Sequence, residues 1–293
     1  MSKLTQHQNA KLTYFKKLIV NGLQYFAKEN DFKKVLVGCS GGIDSALTIA
    51  LAAEALGPEN VTAITMPSEF SSDGSVTDSQ ALCKNLGVEL LTCPIRFSVD
   101  TVRNAMGDYL QQPVTGVALE NLQARMRGLM LMTYSNMNGH LLLTTGNKSE
   151  VMVGYCTLYG DTNGGLNLIG DLFKTDVFDM STLVNDKAGK ELIPQSIIDK
   201  PPSAELAPGQ RDEDSLPPYP ILDSILRIAH CQRDPQARGD LNAASAILAG
   251  LAPNVLSSYK EQVATLVRRS AFKRLQMAPA VALPSRDAQL FTK

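Results

Sequence analysis

Apolar residues recur at helical spacing near the start of the chain, at Leu12, Phe15, Leu18, Ile19, Leu23 and Phe26. The spacing predicts a helix over 11–29, within an N-terminal helical segment 1–30. Short β-rich runs follow at 35–37, 61–66 and 89–95, separated by helical patterns at 45–56 and 75–86. That alternation predicts βαβ units and an α/β fold, a doubly wound, Rossmann-like parallel sheet covered on both faces. A long helix is expected over 117–136, with apolar Leu119, Leu122, Met126, Leu129 and Met130, and a fourth strand over 140–145. Helices are predicted again at 174–184, 220–232, 241–248 and 254–272. Six prolines interrupt 200–220, which is read as a mobile loop. Residues 277–293 are read as an extended tail.

The chemistry is concentrated where the first strand ends. Val35-Leu-Val-Gly-Cys-Ser-Gly-Gly-Ile-Asp-Ser-Ala46 is a short strand, a Ser-Gly-Gly turn and the start of a helix. Such a turn gathers backbone N–H groups and a helix N-terminus around one small volume, which suits an anion. Gly41 and Gly42 let a phosphate approach the backbone. Ser40 and Ser45 add hydroxyl donors, and Asp44 places a carboxylate where it can hold Mg²⁺. The expected ligand is the pyrophosphate end of ATP. The loop has neither Walker A nor dinucleotide-fingerprint spacing. Ligands of such sheets sit beyond the C-terminal strand ends, where Met66-Pro-Ser68 and 144–150 also fall.

Composition narrows the picture by exclusion. The 293 residues carry a net charge of −1, which gives no reason to expect a nucleic acid or a membrane as partner. That length is close to the limit of one hydrophobic core, so a single domain over 1–293 is expected. The first ten residues lack the apolar stretch of a signal peptide. Cys39, Cys83, Cys93, Cys156 and Cys231 match no metal spacing and are read as reduced thiols of a cytoplasmic protein. His7, His140 and His230 lie in no catalytic pattern and are read as structural or surface residues.

Ser-Gly-Gly-x-Asp-Ser resembles the pyrophosphate loop of the ATP pyrophosphatases, and alone would allow GMP synthetase, asparagine synthetase or a tRNA-modifying relative. Five further stretches narrow this: Glu120-Asn-Leu-Gln-Ala-Arg-Met-Arg127, Thr144-Thr-Gly-Asn-Lys-Ser-Glu150, Gly154-Tyr-Cys-Thr-Leu-Tyr-Gly-Asp161, Lys174-Thr175 and Pro202-Ser-Ala-Glu-Leu206. Their order and wording resemble the NAD synthetases over roughly Leu18 to Gln276, and most closely the synthetase domain of the glutamine-dependent branch. The resemblance implies an adenine nucleotide alpha hydrolase-like fold with C-terminal helices. It also implies a carbon–nitrogen ligase that adenylates deamido-NAD, releases pyrophosphate and lets ammonia form the amide of NAD, with release of AMP.

Carried over by motif, Gly38, Cys39, Ser40, Gly41, Gly42, Ile43, Asp44, Ser45, Met66, Thr145, Lys174 and Ser203 would meet ATP. Asn121, Arg125, Glu150, Tyr155, Cys156, Thr157, Leu158 and Lys273 would meet deamido-NAD. Asp44, Lys174 and Thr145 would serve catalysis, and Asp44 and Glu150 would hold Mg²⁺. Relatives also imply a homodimer.

Two departures stand out, Glu69 where many relatives have another residue, often Arg, and Phe272 where some ammonia-dependent relatives have His. No glutaminase triad can be built from the residues ahead of the first strand. The expectation is therefore an ammonia-using synthetase. Alternatives are a subunit fed by a separate glutaminase, a fragment of a longer enzyme, a tRNA-modifying relative or a non-catalytic nucleotide-binding module. A tRNA-modifying enzyme would need cysteine pairs and a basic extension, and neither is present.

Overall fold

The computed structural model describes residues 4–230 and 238–283. The chain opens with helix α1 (Gln6–Glu29), which starts on a reciprocal capping box between Thr5 and Gln8 and buries Leu12, Phe15, Ile19, Leu23 and Ala27. Strands β1 (Val35–Gly38), β2 (Val61–Thr65) and β3 (Glu89–Thr92) alternate with α2 (Ile43–Leu56) and α3 (Asp73–Leu86). Next come α4 (Arg96–Leu110), α5 (Val117–Asn138), β4 (Leu141–Thr144), α6 (Lys148–Val153) and β5 (Leu166–Asn167). The remaining helices are α7 (Lys174–Ala188), α8 (Gln195–Asp199), α9 (Tyr219–His230), α10 (Arg238–Ala249), α11 (Pro253–Arg269) and α12 (Ala271–Arg274).

All pairings among the five strands are parallel, in the order β3-β2-β1-β4-β5. The strand period of two sorts side chains between layers. Val35, Val37, Leu141 and Leu143 face the core built with α1, α2 and α7. Leu36, Ile64 and Leu142 face the opposite core with Val99 of α4 and Met126 of α5. Both faces are therefore covered, as the continuous apolar strands require. A separate core, with Leu222, Leu226, Leu248 and Val263, joins α9, α10 and α11 to α6.

The chain runs outward from β1 to β3 and then returns to place β4 on the other side of β1. The loops after β1 and β4 diverge there, which opens the crevice.

The structure adds elements that the pattern did not reveal. β3 stops at Thr92 rather than running to Ile95, because Pro94 cannot donate to the ladder. α4 then follows; Val99 is its buried residue, while Phe97 and Tyr109 are exposed, so its apolar periodicity is faint. β5 and α8 are too short to carry a period.

In 200–220 the regular pieces are a 3₁₀ turn at Asp212–Asp214 and the start of α9, whose first turn accepts Pro220. In the tail, Ala280 bridges Asn167 in parallel, and the Asn167 N–H donates to the Pro279 carbonyl. Cys231, the His230 side chain and the tail from 284 lie outside the described residues. His140 is buried between Thr62 and the Asn138 carbonyl, and His7 is exposed, both consistent with structural or surface roles.

Candidate active site

α2 begins on Gly42, which offers no side-chain cap, so the first N–H groups of the helix are open toward the crevice. The turn before it is tightly organised. Ser40 and Ser45 hydroxyls lie 3.1 Å apart, Ser45 donates to the Gly42 carbonyl, and the Gly42 N–H donates to Ser40 Oγ. Gly41 has φ +76°, and a Cβ there would lie 2.4 Å from the Ser75 carbonyl oxygen. No other L-residue fits that position without moving α3.

Asp44, in the first turn of α2, points to two partners. Its Oδ1 accepts from Asn147 Nδ2 at 2.9 Å, and its Oδ2 accepts from Lys174 Nζ at 2.5 Å. Asn147 also caps α6 by accepting from the Glu150 N–H. Glu150 in turn accepts from Lys174 Nζ at 3.0 Å. One ammonium thus joins the β1 loop to the β4 loop across the switch point. Burial disfavours the charge on Lys174, but Asp44 and Glu150 outweigh it and raise its pKa. Burial pushes Glu150 up to about 7, with Lys174 opposing and Asp44 reinforcing.

The far wall comes from the proline-rich segment. Asp212 is buried and accepts from the Tyr219 hydroxyl at 2.7 Å, while its Oδ1 is buried with no partner. Burial raises its pKa, partly countered by that hydroxyl. Ser203 donates to the Gln210 carbonyl and accepts from the Glu205 N–H. Glu205, at φ +48°, accepts from Ser72, Ser75 and Lys200. The crevice encloses about 280 Å³, just under the roughly 300–1,000 Å³ usual for small-ligand sites. Its wall carries five carboxylates (Asp44, Glu150, Asp161, Glu205 and Asp212) against three cations (Arg127, Lys174 and Lys200).

The structure gathers most of the expected ATP residues. Gly38, Cys39, Ser40, Gly42, Ile43, Asp44, Ser45, Met66, Thr145, Lys174 and Ser203 all line the crevice. Cys39 and Ile43 send their side chains into the core, so only their backbone faces the cavity. The expected deamido-NAD residues are dispersed. Glu150, Tyr155 and Cys156 line the crevice. Thr157 is buried and donates to Asn121 Oδ1, while its N–H donates to Asp161. Arg125 is exposed, outside the crevice, and donates to the Leu158 carbonyl. Lys273 donates to the Gly154 and Cys156 carbonyls, bracing that loop from behind. Burial drives Cys156 up to about 12, which makes it an inert thiol. Glu69 is exposed and does not line the crevice.

Asn147 and Ser149 lie in the quoted Thr144–Glu150 stretch but were given no role, and Asp212 and Tyr219 were not singled out. Asn147 had a signal, an amide three residues before Glu150, which is an N-cap pattern. The roles of Ser149, Asp212 and Tyr219 carry no local signal, because Ser149 pairs with Asp223 and Tyr219 with Glu150, both distant in sequence. Among the described residues no group of three or more metal-ligating side chains is arranged around a common point. Magnesium, however, is held by one or two carboxylates with substrate phosphates and water. Asp44 and Glu150 offer hard oxygens of that kind, and the acid-rich wall would repel a triphosphate that arrived without a cation.

A doubly wound sheet with an open helix N-terminus at its switch point, and a Ser-Gly-Gly-Ile-Asp-Ser loop crossed by one lysine, defines an adenine nucleotide alpha hydrolase-like protein. Residues 15–277 match the NAD synthase family, and the chain belongs to that family. It is 47% identical over 269 residues to a glutamine-dependent NAD(+) synthetase of Synechocystis sp., covering 92% of this chain and 46% of that one. For the enzyme of that name from Thermotoga maritima the identity is 41%, with 92% and 45% covered.

Among solved structures, the glutamine-dependent NAD+ synthetase of Acinetobacter baumannii in complex with ADP superposes with a TM-score of 0.64 at 33% identity, covering 100% of this chain and 49% of that one. The NH3-dependent NAD synthetase of Campylobacter jejuni has a TM-score of 0.66 at 25% identity, with 89% and 96% covered. The chain spans about half the length of the curated relatives it matches.

Proposed function

We propose that this chain catalyses the ATP-dependent amidation of deamido-NAD to NAD, with ammonia as the nitrogen donor. The observation that carries this reading is the Asp44–Lys174–Glu150 cluster beneath the Ser40–Ser45 loop, in a chain of the NAD synthase family. A carboxylate oxygen of the nicotinate ring attacks the α-phosphorus of ATP, the bond to the β-phosphate breaks, and pyrophosphate leaves. Ammonia then attacks the acyl carbon, AMP departs with the acyl oxygen, and one proton is lost. No protein nucleophile is required, so positioning and electrostatics do the work.

Lys174 supplies fixed positive charge beside the phosphates, and the open N–H groups of α2 receive the pyrophosphate. Asp44 and Glu150 would hold Mg²⁺, which contributes further charge against the phosphates when bound. Tyr155, Cys156 and the loop braced by Lys273 line the side on which deamido-NAD would enter. Arg125 and Asn121, outside the crevice in one chain, fit a dinucleotide site completed across a homodimer. We place the reaction in the cytoplasm, where ATP and ammonia are available.

A second reading for the nitrogen source rests on the relatives. Those compared at 41–47% identity are glutamine-dependent and about twice as long, so ammonia can instead be delivered by a separate glutaminase. The test is purified protein with ATP, Mg²⁺ and deamido-NAD, given either ammonium or glutamine, with NAD and pyrophosphate measured. NAD from ammonium alone supports the ammonia-dependent reading. Pyrophosphate without NAD points to a missing glutaminase. Neither product from folded protein sinks the synthetase reading.

A further inference from the structure

Lys148, the first residue of α6, is completely buried. Its ammonium donates to Asp171 Oδ1 at 2.7 Å and stands 5.1 Å from the centre of the Phe173 ring. Its backbone N–H donates to the Leu172 carbonyl at 2.8 Å. The other oxygen of Asp171 accepts from the Leu283 N–H, also at 2.8 Å. That bond ends a run of contacts in which 279–283 pass beside β5. The Asn167 N–H donates to the Pro279 carbonyl, the Val281 N–H donates to the Asn167 carbonyl, and Leu283 is buried in the core.

Neither Lys148 nor Asp171 lines the crevice, yet each is close in sequence to groups that do. Lys148 follows Asn147, which donates to Asp44, and precedes by two positions Glu150, which accepts from Lys174. Asp171 lies three positions before Lys174. The buried pair thus joins the same two segments as the Glu150–Lys174 bridge. Taking an ammonium out of water is costly, and apolar residues of similar volume hold a core at least as well. What a charged pair adds is register, because it admits few relative positions of the segments that carry it.

We infer that Lys148 and Asp171 are positioning residues for the reaction: held by the Leu283 N–H, the pair fixes α6 against the start of α7 and so places Glu150 and Asn147 on Lys174 and Asp44. This rests on the reading of the crevice as the site of adenylation. The test compares the full chain with Lys148→Met, Asp171→Asn and the two combined. Either single change leaves a buried charge without its partner and is expected to lower the urea midpoint. The double variant removes both charges and should regain most of the lost midpoint. Its kcat for NAD formation is nevertheless expected to stay about tenfold or more below the unmodified protein, with KM for ATP within about threefold. Hydrogen exchange over 148–153 and 172–176 should be several-fold faster than in the unmodified protein, with α2 unchanged.

A double variant that regains kcat along with its midpoint overturns the inference, since the pair would then serve stability alone. Unchanged hydrogen exchange over 148–153 overturns it as well. If the double variant fails to fold by circular dichroism, Asp171→Asn decides, because the amide keeps an acceptor for Leu283. A tenfold lower kcat per folded molecule supports the inference, and an unchanged kcat overturns it. An unmodified protein that makes no NAD would sink the proposed reaction alone, and the exchange comparison, which needs no turnover, would then decide whether the pair fixes α6.

Discussion

Gly41 shows how much one residue can fix. Its positive φ and the 2.4 Å approach of the Ser75 oxygen to a built Cβ leave no room for a side chain. Gly41→Ala is expected to distort the phosphate loop and weaken ADP binding at least tenfold, while the distant cores keep the chain folded. Titration calorimetry with a parallel circular dichroism spectrum checks this, and tight ADP binding by the variant would refute it. Gly41, Asp44 and Lys174 were legible in the sequence because the loop and the lysine motif carry local signatures. Arg127 was visible as the end of the Glu120–Arg127 motif, but not its place in the crevice wall, because that depends on how α5 packs against the sheet.

At the scale of elements, the cluster depends on how the N-terminus of α7 is held. Phe173 precedes the helix and gives it no side-chain hydroxyl or carboxylate cap. Asp223 of α9 supplies one from outside. Its Oδ2 accepts from the Thr175 N–H at 2.8 Å, and its Oδ1 accepts from the Ser149 hydroxyl, which itself accepts from the Lys174 N–H at 2.9 Å. The negative charge also suits the helix dipole.

Asp223→Ala removes a buried acceptor of two bonds and leaves Ser149 and Thr175 unsatisfied. A loss of about 3 kcal/mol in urea unfolding is expected. Lys174 shifts with the helix start, so kcat for NAD formation should fall more than KM for ATP rises. A stability loss below about 0.5 kcal/mol would contradict this. α9 was foreseen as a helix over 220–232, while α6 was not, and the trans cap was invisible because its donors and acceptor come from three separate elements. β5 and α8 were invisible for a different reason, since two or five residues carry no period.

For the whole molecule, a buried ion network ties the beginning of the chain to its C-terminal half. Lys11 of α1 and Arg227 of α9 both contact Asp176 of α7, at 3.4 and 2.6 Å, and both contact Asp240 of α10. Burial alone would raise the pKa of Asp176, but Arg227 and Lys11 outweigh it and hold it at about 2. A carboxylate depressed in the folded state stabilises above its unfolded pKa of about 4, and that stability is lost as pH falls toward 2. Unfolding midpoints between pH 2 and 5 should therefore drop steeply.

Asp176→Asn is expected to be about 2 kcal/mol less stable at pH 7 and to show a flatter acid limb. Parallel acid limbs for the two proteins would reject this account. The same network explains why α1, which contributes no residue to the crevice wall, belongs to the fold: it covers one face of the sheet and is locked to the helices that carry Asp223.

Sequence alone determined the α/β class, the order of the main strands and helices, and the Ser-Gly-Gly loop with the carboxylate and lysine expected to serve it. Each of these is written in a local period or a short contiguous motif, and local patterns need no knowledge of neighbours. Tertiary structure decided what depends on distance between remote residues. It brought Lys174 onto Asp44, 130 positions away, set Asp223 against α7, left Arg125 outside the crevice and turned Arg127 toward it. Burial and pairing are properties of the packed state, and a chain reveals them only once its layers have closed.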